Sequence, residues 1–112
     1  MDSTAAMMVR GGMTPRNAPQ RGTLANGTSR EITVQLASAS VLAFVGVCDE
    51  ACSDLDLTVF GPDGSELGAD VLEDDAPIVR VDNARPGTYR IRVQMAACSA
   101  STCGYGVRVY GQ

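Results

Sequence analysis

The 112-residue chain has no lysine, no histidine and no tryptophan. Without histidine it lacks the side chain that most often acts as general base and metal ligand near neutral pH. Without lysine it has neither a Schiff-base nucleophile nor an ammonium clamp for phosphates. The longest apolar run, residues 41–48, falls far short of the roughly 20 residues that cross a bilayer as a helix. No segment repeats its apolar residues every 3.6 positions, so no amphipathic helix is expected. These absences argue against an enzyme and a membrane span, and leave a small domain whose 45% apolar content is enough to build one core.

The charges that are present are unevenly spread. Nine arginines face nine aspartates and four glutamates, for a net charge of −4. Residues 1–30 carry Arg10, Arg16, Arg21 and Arg30 against Asp2, a net of +3; residues 31–112 carry five arginines against twelve acids, a net of −7. A negative chain with sparse arginines leaves no nucleic-acid footprint. The texture changes at the same place. Residues 1–27 are broken up by Gly, Pro, Asn, Ser and Thr without a steady period, which predicts an extended N-terminal arm ahead of a domain over residues 28–112.

The arm has no long apolar stretch, so it is not a secretion signal as it stands. Gly11, Gly12, Pro15 and Pro19 favour an extended, non-helical path. Apolar side chains gain nothing on a free tail, and a positive arm attracts an acidic body. Met7, Met8, Val9 and Met13, with Arg10, Arg16 and Arg21 between them, are therefore expected to contact a second copy of the chain.

After Arg30 the sequence alternates. Ile32, Val34 and Leu36 interleave with Thr33, Gln35 and Ala37, as in a half-buried strand. Residues 40–48 are apolar on both parities and suit an interior strand. Leu55, Leu57 and Val59 point in, with Asp54, Asp56 and Thr58 out. Gly61-Pro62-Asp63-Gly64 is a turn in which Pro presets φ, Asp caps its own backbone and Gly supplies a positive φ. Short strands are expected at 66–69 and 78–82, a second turn at Arg85-Pro86-Gly87, and alternating strands through Tyr89, Ile91, Val93, Met95 and through Tyr105, Val107, Val109. About seven or eight strands with a turn every ten or so residues predict an all-β, jelly-roll-like antiparallel sandwich.

The four cysteines form two close pairs, Cys48/Cys52 and Cys98/Cys103, each bracketing a loop between expected strands. Two local disulfides suit an even count in a small β domain and imply an oxidising compartment: secreted, cell-surface or periplasmic. The rival is one zinc site joining all four thiolates, although zinc knuckles are usually the tighter CxxC. Without histidine a cysteine has no partner to activate it as a nucleophile.

The stretch Asp54-Leu55-Asp56-Leu57-Thr58-Val59-Phe60-Gly61-Pro62-Asp63-Gly64 resembles the D-L-D-L-x-[VLI]-[FY]-x-P-x-G signature of bacterial pre-peptidase C-terminal domains. Pro86-Gly87-Thr88-Tyr89-Arg90-Ile91-Arg92-Val93 is similar to that family's P-G-x-Y-x-[IV]-x-V strand, and Tyr105-Gly106-Val107-Arg108-Val109-Tyr110 to its closing strand. The resemblance runs over about residues 30–112. It implies a jelly-roll-like sandwich in secreted bacterial proteins, usually appended to a hydrolase and used for attachment to substrate or matrix, sometimes with calcium. The two cysteine pairs and the lack of an attached hydrolase within this sequence depart from that pattern.

Asp54 and Asp56, with Asp70, Asp74 and Asp75, are the residues from which a calcium site would draw its six to eight oxygens; the plainer reading is a solvated acidic loop. Asp54 and Asp56 are expected to pair across strands with Arg90 and Arg92. Tyr89 and Tyr105 are expected in the core with their hydroxyls bonded. Phe60 and Tyr110 point outward, where two rings would serve sugar stacking or a subunit contact. Arginine as the sole basic residue, with much Ala, Gly, Val and Asp, indicates a GC-rich bacterial gene, in which the sequon Asn26-Gly27-Thr28 has no meaning. The reading is a non-catalytic, secreted bacterial structural protein that self-assembles into an oligomer or filament through its arm. The alternative is an extracellular accessory module for carbohydrate or matrix, calcium-dependent if the acidic set holds that cation.

Overall fold

The alternating segments become strands, in the order β1 Thr14–Pro15, β2 Gln20–Leu24, β3 Ser29–Leu36, β4 Ala39–Cys48, β5 Cys52–Phe60, β6 Glu66–Asp70, β7 Ile78–Ala84, β8 Gly87–Cys98 and β9 Cys103–Gly111. The computed structural model describes residues 12–112, and no helix occurs among them. One sheet has the order β1-β9-β4-β7, with β2 also pairing β9; the other has the order β3-β8-β5-β6. All the pairings are antiparallel. The two sheets pack face to face over Leu42, Phe44, Leu55, Leu57, Val59, Ile91, Val93, Met95 and Val109, which are all fully buried. The expected all-β sandwich is the fold observed.

Strand β4 is apolar on both parities because it lies between β9 and β7, and its outer face is covered as well: Ala43 and Val45 are buried in a small second cluster with Tyr110, against which Met13 packs. The turn after β5 forms as its residues dictate. Asp63 Oδ1 accepts hydrogen bonds from the Ser65 amide and hydroxyl, Gly64 has φ +86°, and its N–H donates to the Gly61 carbonyl. Tyr89 is buried against Phe44, with ring centroids 5.8 Å apart, and its hydroxyl donates to the Arg85 carbonyl. Tyr105 is buried too, and its hydroxyl accepts from Arg30 Nη1 at 3.3 Å.

The cysteines form two disulfides, Cys48–Cys52 and Cys98–Cys103, and no cysteine is free, so the zinc arrangement is not formed. Each bridge joins one sheet to the other: β4 to β5, and β8 to β9. Cys52 and Cys98 are opposite one another in the β5–β8 ladder, which puts both clips at one end of the sandwich. Closing loops this short removes about 2 kcal/mol of unfolded-chain entropy per bridge.

The N-terminal boundary differs from the expectation. Residues 14–24 are not a free arm but the edge of their own sheet: Thr14 pairs with Gly111, and Gln20 to Leu24 pair with Val107 to Cys103. Between the two short strands, Asn17 Oδ1 takes the N–H of Val109, and its carbonyl accepts from Arg108 Nε. β9 would otherwise present a row of unpaired backbone groups along this edge, and β1 and β2 cover it. Met13, Arg16 and Arg21, expected at a subunit contact, therefore lie on their own domain, where the Arg16 amide donates to the Val109 carbonyl. Met7, Met8, Val9 and Arg10 lie outside the described residues.

Candidate functional site

The outer face of the β4–β9 sheet carries a groove. β9 places Gly104, Gly106, Arg108 and Tyr110 on this face and β4 places Val45 and Val47, so the two glycines leave a depression flanked by valines. The Cβ that Gly106 lacks would sit 3.5 Å from Val47 Cγ2 and 3.8 Å from Arg21 Cγ, so the floor is open to a side chain. The cavity is about 330 Å³ and is walled by Val45 and Val47, by Pro19 and Arg21, and by Tyr110 and Asp49 at its ends. Its lining is dominated by apolar groups, with Arg21, Arg108 and Asp49 at the rim. Asp49 is exposed, and its carboxylate accepts the Gly104 N–H at 2.8 Å. Nothing in the sequence alone singled out this groove. Its signal was the pair of glycines at alternate positions of a strand, one of them opposite Val47.

The acidic residues gather on the other sheet. The β5–β8 ladder is irregular at Asp54, and the Leu55 N–H donates to the Asp74 carbonyl at 2.9 Å. Pro77 is fully buried and its carbonyl accepts from Gly46. A Cβ on Gly46 would meet Pro77, Leu57 and Leu55 side chains at 3.1 to 3.3 Å, so the packing here is tight. The loop between β6 and β7 is thereby pinned close to Asp54 and Asp56.

The expected pairing of these aspartates with Arg90 and Arg92 does not occur, because the register sets Asp56 opposite Gln94, Thr58 opposite Arg92 and Phe60 opposite Arg90. The arginines instead stack on the Phe60 ring at 5.2 and 5.1 Å and bridge to Glu31 at 3.4 and 4.0 Å. Asp54 Oδ1 and Asp56 Oδ1 are left buried without a partner. Burial, then the charge of Asp54 and a hydrogen bond with it, then the charges of Asp70 and Asp74, push the Asp56 carboxyl up to about 6.

Four of the five residues considered for calcium thus stand near one another, and their carboxylates also brace the backbone: Asp70 accepts from the N–H groups of Leu72 and Ile78, and Asp74 Oδ1 from that of Ala76. Asp75 is not among the charges acting on Asp56. Among the described residues no three acidic or thiol side chains converge as metal ligands would.

The two outward aromatics do not form a platform. Phe60 lies on β5 under two guanidinium groups. Tyr110 lies on β9, in the opposite sheet, and is 4% exposed beneath Met13.

No protein-family model matches the sequence, and no curated protein matches it. Among solved structures, the pre-peptidase C-terminal domain of a collagenase from Bacillus anthracis superposes with a TM-score of 0.64 over 84% of this chain and 89% of that one, at 18% identity. The fold is that of a pre-peptidase C-terminal domain. The periplasmic inhibitor of g-type lysozyme from Aeromonas hydrophila has a related sandwich, with a TM-score of 0.57 over 88% of both chains and 15% identity. At these identities the likeness is one of fold. The pre-peptidase-type sandwich here differs from the sequence-level resemblance in reaching back to residue 14, because β1 and β2 belong to it.

Proposed function

We propose that this protein is a non-catalytic, exported β-sandwich that assembles with copies of itself, and that residues 1–11 are the arm through which it does so. The observation that carries the reading is the apolar groove on the outer face of β4 and β9, which the described chain covers only at its Tyr110 end, with Met13. An outward sheet face is normally polar, and this reading takes the apolar recess as the place where a second copy docks. The two disulfides fit an oxidising compartment. The sequence has no histidine and no lysine, which removes the commonest general base and the usual amine nucleophile.

The test is removal of residues 1–11. The cut belongs ahead of Gly12, since a longer deletion would strip β1 and β2 from the edge of β9 and confound assembly with stability. Light scattering should find the full chain larger than a monomer and the shortened chain monomeric, with unchanged circular dichroism. Equal sizes would remove the arm from the account and favour an accessory binding module instead.

A further inference from the structure

Resting on the assembly reading, we infer that the groove over Gly106 is the acceptor for the Met7-Met8-Val9 segment of a neighbouring copy, so that assembly runs head to tail. The chain already shows what this face accepts. Met13 packs on Ala43, Val45 and Tyr110 at one end of the groove, and the open remainder, over Gly104 and Gly106 beside Val47, is apolar in the same way. Met7, Met8 and Val9 are the nearest residues in the sequence with matching chemistry, and methionine's flexible thioether fits irregular recesses. Arg10 follows them directly, and the exposed Asp49 stands at the far rim.

The direction of the chain selects a neighbour rather than the same copy. β1 is antiparallel to β9, with Thr14 opposite Gly111 and Pro15 opposite Tyr110. Followed backwards from Thr14, that line passes Gln112 and leaves the sandwich at the end away from Gly104. Eleven extended residues span roughly 36 Å, enough to cross to the next subunit. Arm and groove are different surfaces of one molecule, so each copy gives one and receives one. Such a heterologous contact propagates into a filament or closes into a ring.

The experiment uses three full-length proteins. The first is the unaltered chain. The second silences the arm with Met7→Ser, Met8→Ser and Val9→Ser. The third fills the groove with Gly106→Phe, for which the ordinary Cβ spacing to Val47 and Arg21 leaves room; Val47→Glu replaces it if the phenylalanine variant does not fold by circular dichroism. Sedimentation velocity should show the unaltered chain as an assembly and each variant alone as a monomer. Mixed one to one, the variants should form dimers and stop, because the intact arm of one enters the intact groove of the other and the remaining arm and groove are disabled. A mixture that stays monomeric overturns docking on a second copy. A groove-filled protein that assembles like the unaltered chain overturns the groove as acceptor but leaves the arm reading standing. An unaltered chain that is monomeric at every concentration overturns both.

Discussion

Replacing Asp56 by asparagine should stabilise the protein at neutral pH. Asp56 lies on the outer side of β5 with Oδ1 buried and unpartnered. Asp54, Asp70 and Asp74 surround it with charge of its own sign, and its carboxyl is raised from 3.8 to about 6. A carboxyl whose folded pKa exceeds its unfolded one favours folding while protonated. Its contribution is intact below about pH 4 and is lost as pH rises through about 6. The whole interval corresponds to about 3 kcal/mol. Asp56 is only half-buried, so solvent screening reduces this to about 1 kcal/mol. Asparagine keeps the shape, carries no charge and donates to Asp54. Thermal melts of both proteins from pH 3.5 to 8 isolate the effect as a difference. The variant should melt within a degree of the parent at pH 4 and about 4–5 °C higher at pH 7. A difference independent of pH, or a variant less stable at pH 7, would refute the reasoning, because it would mean that the charged carboxylate is held by a partner.

Three further outcomes follow from the same structure. Millimolar calcium should leave the melting midpoint within a degree, since no three acidic side chains among the described residues converge as metal ligands would; a rise that Asp56→Asn abolishes would show the cluster rearranging around the ion. Replacing Cys98 and Cys103 together by serine should cost about 2 kcal/mol in urea denaturation, and no change would mean the bridge is not formed. Gly87→Ala should cost about 1–3 kcal/mol, because Gly87 has φ +145° and a Cβ there would meet Pro62 side-chain carbons at 2.9 Å; a variant as stable as the parent would contradict that backbone.

Most of the sandwich was legible because its strands advertise themselves. Leu55, Leu57 and Val59 alternate with Asp54, Asp56 and Thr58, and the burial follows that period. The cysteine pairs declared themselves by flanking loops. β2 was not legible, since of its five residues only Leu24 is buried while Gln20, Arg21 and Thr23 are exposed. An edge strand of this kind has backbone pairing but no apolar alternation. Register was also invisible. The sequence puts Asp54, Asp56, Arg90 and Arg92 on outward faces, but the register of the β5–β8 ladder decides which residues are opposite, and it sets the arginines beside Phe60, with Glu31 on the neighbouring strand. Tyr110 points outward as its parity requires and is buried all the same, because Met13 closes over it. The groove escaped notice because it is made of missing side chains, at Gly104 and Gly106, and a gap shows only when its walls are in place.

The most direct test of the account is the size of the particle in solution with and without residues 1–11, measured by multi-angle light scattering at matched concentration. The account predicts a multiple of the 11.7 kDa chain for the full protein and a single chain once the segment ahead of Gly12 is removed. The same number of chains per particle for both would contradict it.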